Sequence, residues 1–246
     1  MRNINLIIEY DGTNYCGWQS QKNANSIQET IQTAIEKITG SRPNLYGSGR
    51  TDKGVHAFGQ TANFFIESKV NAEKFAYNLN SVLPKDIVIK TSSEVDMDFH
   101  ARYSAVGKEY SYLILNSKQP SALYRNLAYH INYCEKLNVS EMIAASQAFV
   151  GTHDFKGFMA KGSSIKETIR TIEEIKITQD GEFLKLTFRG SGFLYNMVRI
   201  ISGTLLFVGV GKINSKDIPD IIESRNRLQA GMTLPAHGLY LEKVLY

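Results

Sequence analysis

The hydrophobic pattern of the first half of the chain predicts strands and helices in alternation. The apolar stretch at residues 4–10 predicts a strand that ends at Asp11-Gly12. Isoleucines and alanines then recur at helical spacing, after a capping box of Ser26 and Glu29 and before Gly40. The further predicted elements are strands at 44–46 and 61–66, a helix at 71–83 and a strand at 87–90. The predicted order is therefore β-α-β-β-α-β.

The second half of the chain repeats this order with one insertion. The predicted elements are a strand at 108–115, a helix that begins at Asn138 and Glu141, a hairpin of strands at 171–178 and 183–189, helices at 193–208 and 215–224, and a strand at 238–244. Two such halves predict an α+β fold of two tandem ferredoxin-like domains, residues 1–103 and 104–246. We expect their antiparallel sheets to lie side by side and to leave an active-site cleft between the domains.

The composition is that of a globular protein with a mild excess of positive charge. Of 246 residues, 43% are hydrophobic and 21% are charged, and the net charge of +4 permits a polyanionic partner without requiring one. Cys16 and Cys134 lie far apart, which favours free thiols in a reducing cytoplasm. Asn3 and Asn5 interrupt the first apolar stretch, so no signal peptide is predicted. Residues 193–210 contain polar residues that favour a buried helix over a membrane span.

The stretch from Gly47 to Ala57 is the first candidate site. Three glycines in eight residues permit tight turns and a close approach to a ligand, and Asp52 is the one carboxylate. Arg50, Lys53 and His56 flank Asp52 along the chain and favour its ionised form. An aspartate in this setting serves as a nucleophile or a base. The alternative is a surface turn, since Thr-Asp-Lys-Gly suits a type I turn.

The sequence predicts no metal site. Gly49 and Gly54 have the glycine spacing of a phosphate-binding P-loop. Val55 and His56 follow them, however, in place of the Lys and the Ser or Thr that would hold phosphate and magnesium. The five histidines form no HExxH set or similar pattern of ligands.

Three further stretches contain aromatic or basic residues that are candidates for nucleic-acid contacts. His100 and Arg102 point to the same side of an extended segment, and the alternative is a solvated strand end. Tyr110 alternates with Tyr112 along a predicted strand, where it either stacks on a base or packs in the core. Residues 155–170, which we call the basic loop, interleave phenylalanines with Lys156, Lys161, Lys166 and Arg170. This loop either follows the phosphates of a nucleic acid or is an ordinary flexible loop.

Arg199 lies on the most apolar predicted helix and therefore needs a partner. Its neighbours Val198, Ile200 and Ile201 are all apolar, and a buried cation without a partner is costly. Asp52 is the obvious candidate, because arginine grips a carboxylate with two parallel hydrogen bonds. The alternative is an arginine whose head extends from the helix into solvent.

At these residues the sequence resembles the TruA family of tRNA pseudouridine synthases. The most specific block is Gly49-Arg50-Thr51-Asp52-Lys53-Gly54-Val55-His56-Ala57. In the order of the family, the other blocks are Tyr10-Asp11-Gly12, Gly17-Trp18-Gln19, Ser26-Ile27-Gln28, Phe99-His100-Ala101-Arg102, Lys108 to Tyr110, Gly151 to Phe155, Asn196-Met197-Val198-Arg199 and Gly238-Leu239-Tyr240-Leu241. Lys53 departs from the pattern, because many members have a small residue there; it adds either a phosphate contact or a surface charge.

The resemblance implies a substrate, a reaction and roles for individual residues. The implied substrate is uridine at position 38, 39 or 40 of the tRNA anticodon arm, which is isomerised to pseudouridine. Asp52 is the implied essential nucleophile or base, and Arg199 is the residue that pairs with it. Tyr110 and Leu239 are expected to pack on opposite sides of the uracil, and Tyr110 also to assist in removal of the C5 proton. Arg50 is expected to fill the place of the flipped nucleotide.

The resemblance also implies the partners. We expect a cytoplasmic homodimer with tRNA across both subunits, and no cofactor. The remaining predicted RNA contacts are His56, Arg102, Lys53, Lys161, Lys166 and Arg170. An RNA-binding protein of the same fold without turnover is one alternative. A small-molecule enzyme with a nucleophilic aspartate, such as a phosphatase, is another, but it would need an acidic cluster for magnesium that the sequence lacks.

Overall fold

The computed structural model describes residues 1–21, 24–133, 137–162 and 165–246, so Cys134 lies outside the described residues. The chain is a mixed α+β protein that forms two compact units, residues 1–106 with 240–246 and residues 107–239. These units differ from the predicted division at 103/104 mainly at the C-terminus. The last strand groups with the first unit because it pairs with a strand of that unit. Each unit is described by itself.

The strands and helices have the following bounds in chain order. They are β1 Arg2–Tyr10, α1 Ile27–Thr39, β2 Tyr46–Gly47, β3 His56–Ile66, α2 Lys74–Asn80, β4 Ile87–Val95, β5 Gly107–Asn116, β6 Tyr129–Ile131, α3 Val139–Ser146, β7 Gly151–Asp154, β8 Ile169–Asp180, β9 Phe183–Gly190, α4 Met197–Gly209, α5 Ile218–Ser224 and β10 Leu239–Leu245. Short 3-10 helices lie at Gln147–Phe149, Phe155–Phe158, Ser215–Asp217 and Ala236–Gly238.

The first unit has strand order β4-β1-β3, with β2 and β10 both on the other edge of β3. The pairs β1–β3, β1–β4 and β2–β3 are antiparallel, whereas β10 runs parallel to β3 through Tyr240 and His56. Helices cover the sheet face that carries Ile4, Leu6 and Ile8, which are all fully buried. The predicted N-cap at Ser26 is confirmed, because the Glu29 N–H donates to Ser26 Oγ at 3.3 Å. The Glu29 carboxylate accepts a hydrogen bond from Ser20 Oγ at 3.1 Å.

Strand β3 begins earlier than the sequence predicts. The predicted strand starts at residue 61, but β3 starts at His56, within the candidate motif. The pairing of Tyr10 with Ala57, across a bulge in the β1–β3 ladder, extends the strand to this point. The end of the motif therefore belongs to the sheet and not to the loop.

The second unit is built around β5. This strand pairs with β9 in antiparallel fashion and with β6 in parallel, and the sheet continues from β9 to β8 and β7. Strands β6 and β7 were not predicted from the sequence, since they are only three and four residues long. The predicted hairpin of β8 and β9 is confirmed.

Helix α4 is buried on nearly all sides, which explains its uninterrupted apolar sequence. A Cβ at Gly203 would lie 1.9 Å from the Met232 carbonyl oxygen, so the 231–234 segment covers that side of the helix. The predicted start at residue 193 is wrong, because Asn196 has a left-handed backbone with φ 61° and α4 begins after it. No helix among the described residues is long and apolar enough to cross a membrane.

Candidate active site

Hydrogen bonds from β3 hold the first part of the loop between Gly47 and Val55, which we call the Asp52 loop. The Ser48 N–H donates to the Thr61 carbonyl oxygen at 2.8 Å, and Ser48 Oγ donates to Gln60 Oε1 at 2.6 Å. The amide of Gln60 in turn donates to the Gly49 carbonyl oxygen at 3.0 Å. The first part of the loop is therefore fixed to β3 through main-chain and side-chain contacts.

The centre of the loop is held from its other side. The Trp18 N–H donates to the Thr51 carbonyl oxygen at 3.0 Å, and Tyr10 Oη lies 2.7 Å from Thr51 Oγ1. Burial raises the pKa of Tyr10, so its hydroxyl stays protonated and remains available for this hydrogen bond. Gly17 and Asp52 form an isolated antiparallel bridge.

Glycines let the neighbouring chain approach this loop closely. A Cβ at Gly12 would lie 2.0 Å from the Val55 carbonyl oxygen, and one at Gly47 would lie 2.4 Å from Trp18 Nε1. Gly17 has φ +113°, and a Cβ there would lie 2.5 Å from the Thr51 carbonyl oxygen. The loop is therefore packed on both sides by positions that accept only glycine.

Asp52 is half-buried at the turn of this loop. The Val55 N–H donates to its carbonyl oxygen at 3.1 Å, and Gly54 supplies the left-handed φ of 77° that the turn needs. Arg50 and Lys53 on either side are exposed. The chain therefore turns here, but one residue later than the predicted type I turn, because Gly54 is the third residue of the turn and has a positive φ. The turn presents the aspartate between two cations on a fixed backbone.

His56 lies behind the Asp52 loop and is 2% exposed. The Gly12 N–H donates to its Nδ1 at 3.0 Å, and Asp11 Oδ1 lies 3.1 Å from the same nitrogen. Its ring stacks on Tyr240 with centroids 4.8 Å apart. These contacts tie the Asp11-Gly12 turn to β3, and the predicted contact of His56 with substrate stays a prediction.

Arg199 lies in the second unit, in the first turn of α4. Its Nε donates to the Leu234 carbonyl oxygen at 2.7 Å, and one terminal nitrogen donates to Asn196 Oδ1 at 2.6 Å. Asn196, which precedes the helix, has a left-handed backbone with φ 61°. The guanidinium is half-buried and oriented by both contacts, and its predicted pairing with Asp52 stays a prediction.

Tyr110 and Leu239 are both buried, with exposed fractions of 9% and 7%. Tyr110 projects from β5 and meets Phe193 edge to face, with ring centroids 5.3 Å apart. Leu239 is the first residue of β10. Their predicted positions on either side of a uracil are not tested by these contacts.

The predicted RNA contacts occur in both units. Arg102 is exposed in the first unit, and Lys161 and Lys166 are exposed in the second. Arg170, at the end of the basic loop, lies on β8, and its guanidinium donates to the Glu167 and Ile169 carbonyl oxygens at 3.1 and 2.6 Å.

Asp154 closes the base of the basic loop. Its Oδ1 accepts hydrogen bonds from Thr168 Oγ1 at 2.5 Å and from the Lys156 N–H at 3.1 Å, and its Oδ2 lies 3.0 Å from Arg225 Nε. The Thr168 hydroxyl is the main reason that the pKa of Asp154 is lowered.

Sequence reasoning missed the residues that support the Asp52 loop. Gln60 and Thr61 of β3 hold its backbone, and Tyr10 of β1 holds the Thr51 side chain, but the sequence suggested no such role for these three residues. Trp18 gave a signal, because it lies in one of the blocks by which the sequence resembles the TruA family. No group of three or more potential metal ligands occurs within the part of the chain that the structure describes.

Comparison with known proteins assigns the family. A family model described as tRNA pseudouridine synthase matches residues 6–104 and 145–246. Proteins named tRNA pseudouridine synthase A are similar over the full length of both chains: 56% identical in Acetivibrio thermocellus, 53% in Caldicellulosiruptor bescii and 51% in Thermoanaerobacter pseudethanolicus. The chain belongs to the tRNA pseudouridine synthase family.

Membership makes the chain an isomerase that forms pseudouridine in tRNA. The resemblance inferred from the motifs is thereby confirmed. The ranges matched by the tRNA pseudouridine synthase model include Asp52, Arg102 and Arg199, whereas Tyr110 falls between them. The role of Tyr110 therefore depends on the Lys108 to Tyr110 block alone.

Proposed function

We propose that the protein converts uridine to pseudouridine at positions 38, 39 and/or 40 of the tRNA anticodon arm, with Asp52 as the essential nucleophile or base. The observation that carries the proposal is the Asp52 loop itself. In a member of this family, it holds a half-buried aspartate on a backbone that is hydrogen-bonded on both sides. Such support is what precise positioning of a reacting group requires.

The reaction needs no oxidant, reductant or second substrate. The bond from ribose C1′ to uracil N1 breaks, the uracil rotates, and a bond from C1′ to C5 forms. C5 loses its proton and N1 gains one, so the atoms balance within the nucleotide. Asp52 attacks C1′ or the base, or acts as a base, and each of these roles uses an ionised carboxylate.

Three other residues complete the proposed site. Arg199 pairs with Asp52 and keeps it charged; in support, two hydrogen bonds already orient its guanidinium. Tyr110 stacks on the uracil and assists in removal of the C5 proton, with Leu239 on the other side of the base. These roles are those that the family resemblance implies.

Binding of the substrate requires an extruded nucleotide, because a uracil within a stack cannot reach a catalytic group. Arg50 fills the vacated place, and its exposure next to Asp52 supports this role. The predicted phosphate and nucleotide contacts are His56, Arg102, Lys53, Lys161, Lys166 and Arg170. All of them except His56 and Arg170 are exposed cations.

We also propose two tandem ferredoxin-like domains, a homodimer with tRNA across both subunits, and a cytoplasmic location. The element order β1-α1-β2-β3-α2-β4 and the strand order β4-β1-β3-β2 of the first unit support the first of these. Cys16 is a free thiol, as a reducing compartment favours. The resemblance alone supports the dimer, which light scattering would test.

A tritium-release assay tests the proposed positions. Transcripts of tRNA labelled at uracil C5, with uridine at only one of positions 38, 39 and 40, are incubated with the enzyme. We expect release of tritium to water from at least one of the three transcripts, and none from a transcript that lacks all three uridines. Release from that last transcript at the rate of the others would contradict the assignment to the anticodon arm.

A further inference from the structure

A strip of aromatic rings lies on the surface of the first unit. Tyr46 meets Phe65 with centroids 6.4 Å apart and His100 with centroids 5.1 Å apart. His100 continues to Tyr103 at 4.4 Å, and the Arg102 guanidinium lies over the Tyr103 ring at 5.5 Å. We call these four rings and the guanidinium the aromatic strip.

The outer part of the strip faces solvent. Tyr103 is 76% exposed and Tyr46 is 37% exposed. Single exposed aromatics are common on proteins, but a continuous series of rings that ends under an arginine is not explained by the core. Rings and guanidinium planes of this kind are the groups on which unpaired RNA bases stack.

Buried amides fix the segment that carries the strip. Asn3 donates to the Asp96 and Phe99 carbonyl oxygens at 2.8 and 2.9 Å, and Asn63 donates to Asn3 Oδ1 at 2.8 Å. The Ala101 N–H donates to Asn63 Oδ1 at 2.9 Å. The backbone on both sides of His100 is thereby anchored to β1 and β3, so a base would meet rings that are already ordered.

Two other contacts complete this anchoring. The His100 N–H donates to Ser104 Oγ at 3.1 Å, and the Tyr246 hydroxyl donates to the Ala101 carbonyl oxygen at 2.7 Å. Burial raises the pKa of Tyr246 to about 12, so the hydroxyl stays a donor at neutral pH. Preordered contact groups lose little conformational entropy on binding.

The strip adjoins the Asp52 loop through the chain, because Tyr46 is the first residue of β2 and β2 leads directly into that loop. Its charge is mixed. Arg102 is exposed, but so are Asp96 and Asp98 of the same segment. A stretch with this balance of charges suits a base better than it suits a phosphate backbone alone.

We propose that the aromatic strip is a stacking platform for an unpaired base of the tRNA substrate, with Tyr103 as its contact ring. This inference deepens the proposed function and rests on it. It assigns a role to His100 and to two tyrosines for which the family motifs gave none. It also gives the predicted Arg102 contact a specific form, in which the guanidinium extends the stack.

The test compares three variants in steady-state pseudouridine formation on full-length tRNA and in filter binding at several salt concentrations. Tyr103→Ala removes the ring, Tyr103→Phe keeps the ring without its hydroxyl, and Tyr77→Ala removes a matched tyrosine. Tyr77 lies on α2 of the same unit and is 81% exposed. Because both tyrosines are exposed, all three variants should retain the wild-type melting temperature.

We expect Tyr103→Ala to raise KM and Kd about fivefold or more, as loss of one base–aromatic stack does. Its kcat and the salt slope of binding should be unchanged, and Tyr103→Phe and Tyr77→Ala should behave as wild type. A Tyr103→Ala variant equal to Tyr77→Ala would overturn the proposal. An equal rise in KM and Kd for Tyr103→Phe would also overturn it, because that result would indicate a contact through the hydroxyl. A fall in kcat at unchanged KM would overturn it as well.

Failure of this inference differs from failure of the proposed function. If the wild-type enzyme releases tritium from the anticodon arm and Tyr103→Ala matches it, only the stacking platform is wrong. If the wild-type enzyme releases tritium only from uridines elsewhere in tRNA, the assignment to the anticodon arm is wrong, and the KM of Tyr103→Ala on those uridines still decides whether the ring contacts RNA.

Discussion

The Asp52 loop and the basic loop share a composition, glycines among cations, but differ in their surroundings. In the Asp52 loop, Gly47 packs against Trp18, and the carbonyl oxygens of Gly49 and Thr51 accept hydrogen bonds from other elements. In the outer part of the basic loop, by contrast, a Cβ at Gly162 would meet nothing within 4 Å among the described residues. Lys161 and Lys166 are exposed beside it.

The two loops are therefore suited to different functions. A reacting carboxylate must be held in place, because small displacements of a catalytic group cost a large part of the rate. Cations that attract a polyanion act through a field that extends over about 10 Å in physiological salt, so they need exposure more than fixed positions. The contrast predicts that substitutions in the Asp52 loop change turnover or stability, whereas those in the basic loop change affinity and its salt dependence.

The largest effect should come from Asp52→Asn, which removes the charge but keeps the shape of the side chain. We expect the rate of tritium release at saturating tRNA to fall by about 10³-fold or more, as for loss of an essential nucleophile or base. Binding of tRNA should stay near the wild-type level. Asp180→Asn, the same exchange at the exposed end of β8, serves as the control. Substantial turnover by Asp52→Asn would refute the central role of this carboxylate.

A smaller effect is expected from Gly12→Ala, which tests the packing of the Asp52 loop without touching Asp52. The new Cβ would lie 2.0 Å from the Val55 carbonyl oxygen, so the loop or β1 must shift. We expect a loss of about 1–3 kcal/mol in the free energy of unfolding in urea. Gly192→Ala is the matched control, since its Cβ would meet only Arg170 Nε at 3.9 Å. Equal stability of both variants would show that the loop is not tightly packed.

The basic loop is tested by the double variant Lys161→Ala/Lys166→Ala. We expect tRNA affinity to fall about tenfold at physiological salt and the slope of log Kd against log salt to decrease by about 2. The rate at saturating tRNA should not change. Lys37→Ala/Lys216→Ala removes the same charge from exposed positions elsewhere. If its binding and salt slope match those of the first double variant, net charge and not the basic loop determines affinity.

The smallest effect concerns Asp154, which closes the basic loop. Its pKa is lowered in the folded state, chiefly by Thr168, so its contribution to stability is present above the unfolded pKa and disappears as pH falls through the folded pKa. Asp154→Asn should cost about 1 kcal/mol in unfolding free energy at pH 7, since a partly solvated carboxylate loses charged hydrogen bonds. The difference from wild type should vanish as the carboxyl group protonates, at a pH below about 4. A gap that persists to the lowest pH would indicate a role unrelated to charge.

The sequence predicted elements and motifs better than it predicted the contacts between them. Periodicity found α1 and the β8–β9 hairpin, because local spacing and turn residues determine both. It placed the start of α4 too early, at residue 193, because an apolar run does not indicate that Asn196 has a left-handed backbone. It also missed β6 and β7, which are too short for any period to show.

Some residues of the candidate site could likewise be predicted from the sequence, and others could not. Asp52 and its flanking cations could be found because they are adjacent in the sequence. Gln60 and Tyr10 could not, because their roles depend on a bulge and on a ladder that bring distant residues to one loop. The aromatic strip could not be predicted for the same reason, since Tyr46 meets His100 only after the sheet has formed.

The parallel pairing of β10 with β3 has a consequence for biosynthesis. Tyr240 stacks on His56, yet about three quarters of the polypeptide lies between these two residues. A nascent chain on the ribosome can form α1, α2 and the antiparallel ladder early, but this edge must wait until the final strand has emerged from the exit tunnel. A chain that terminates a few codons before Tyr240 would therefore lack the ring that stacks on His56, although nearly all of the protein had been synthesised.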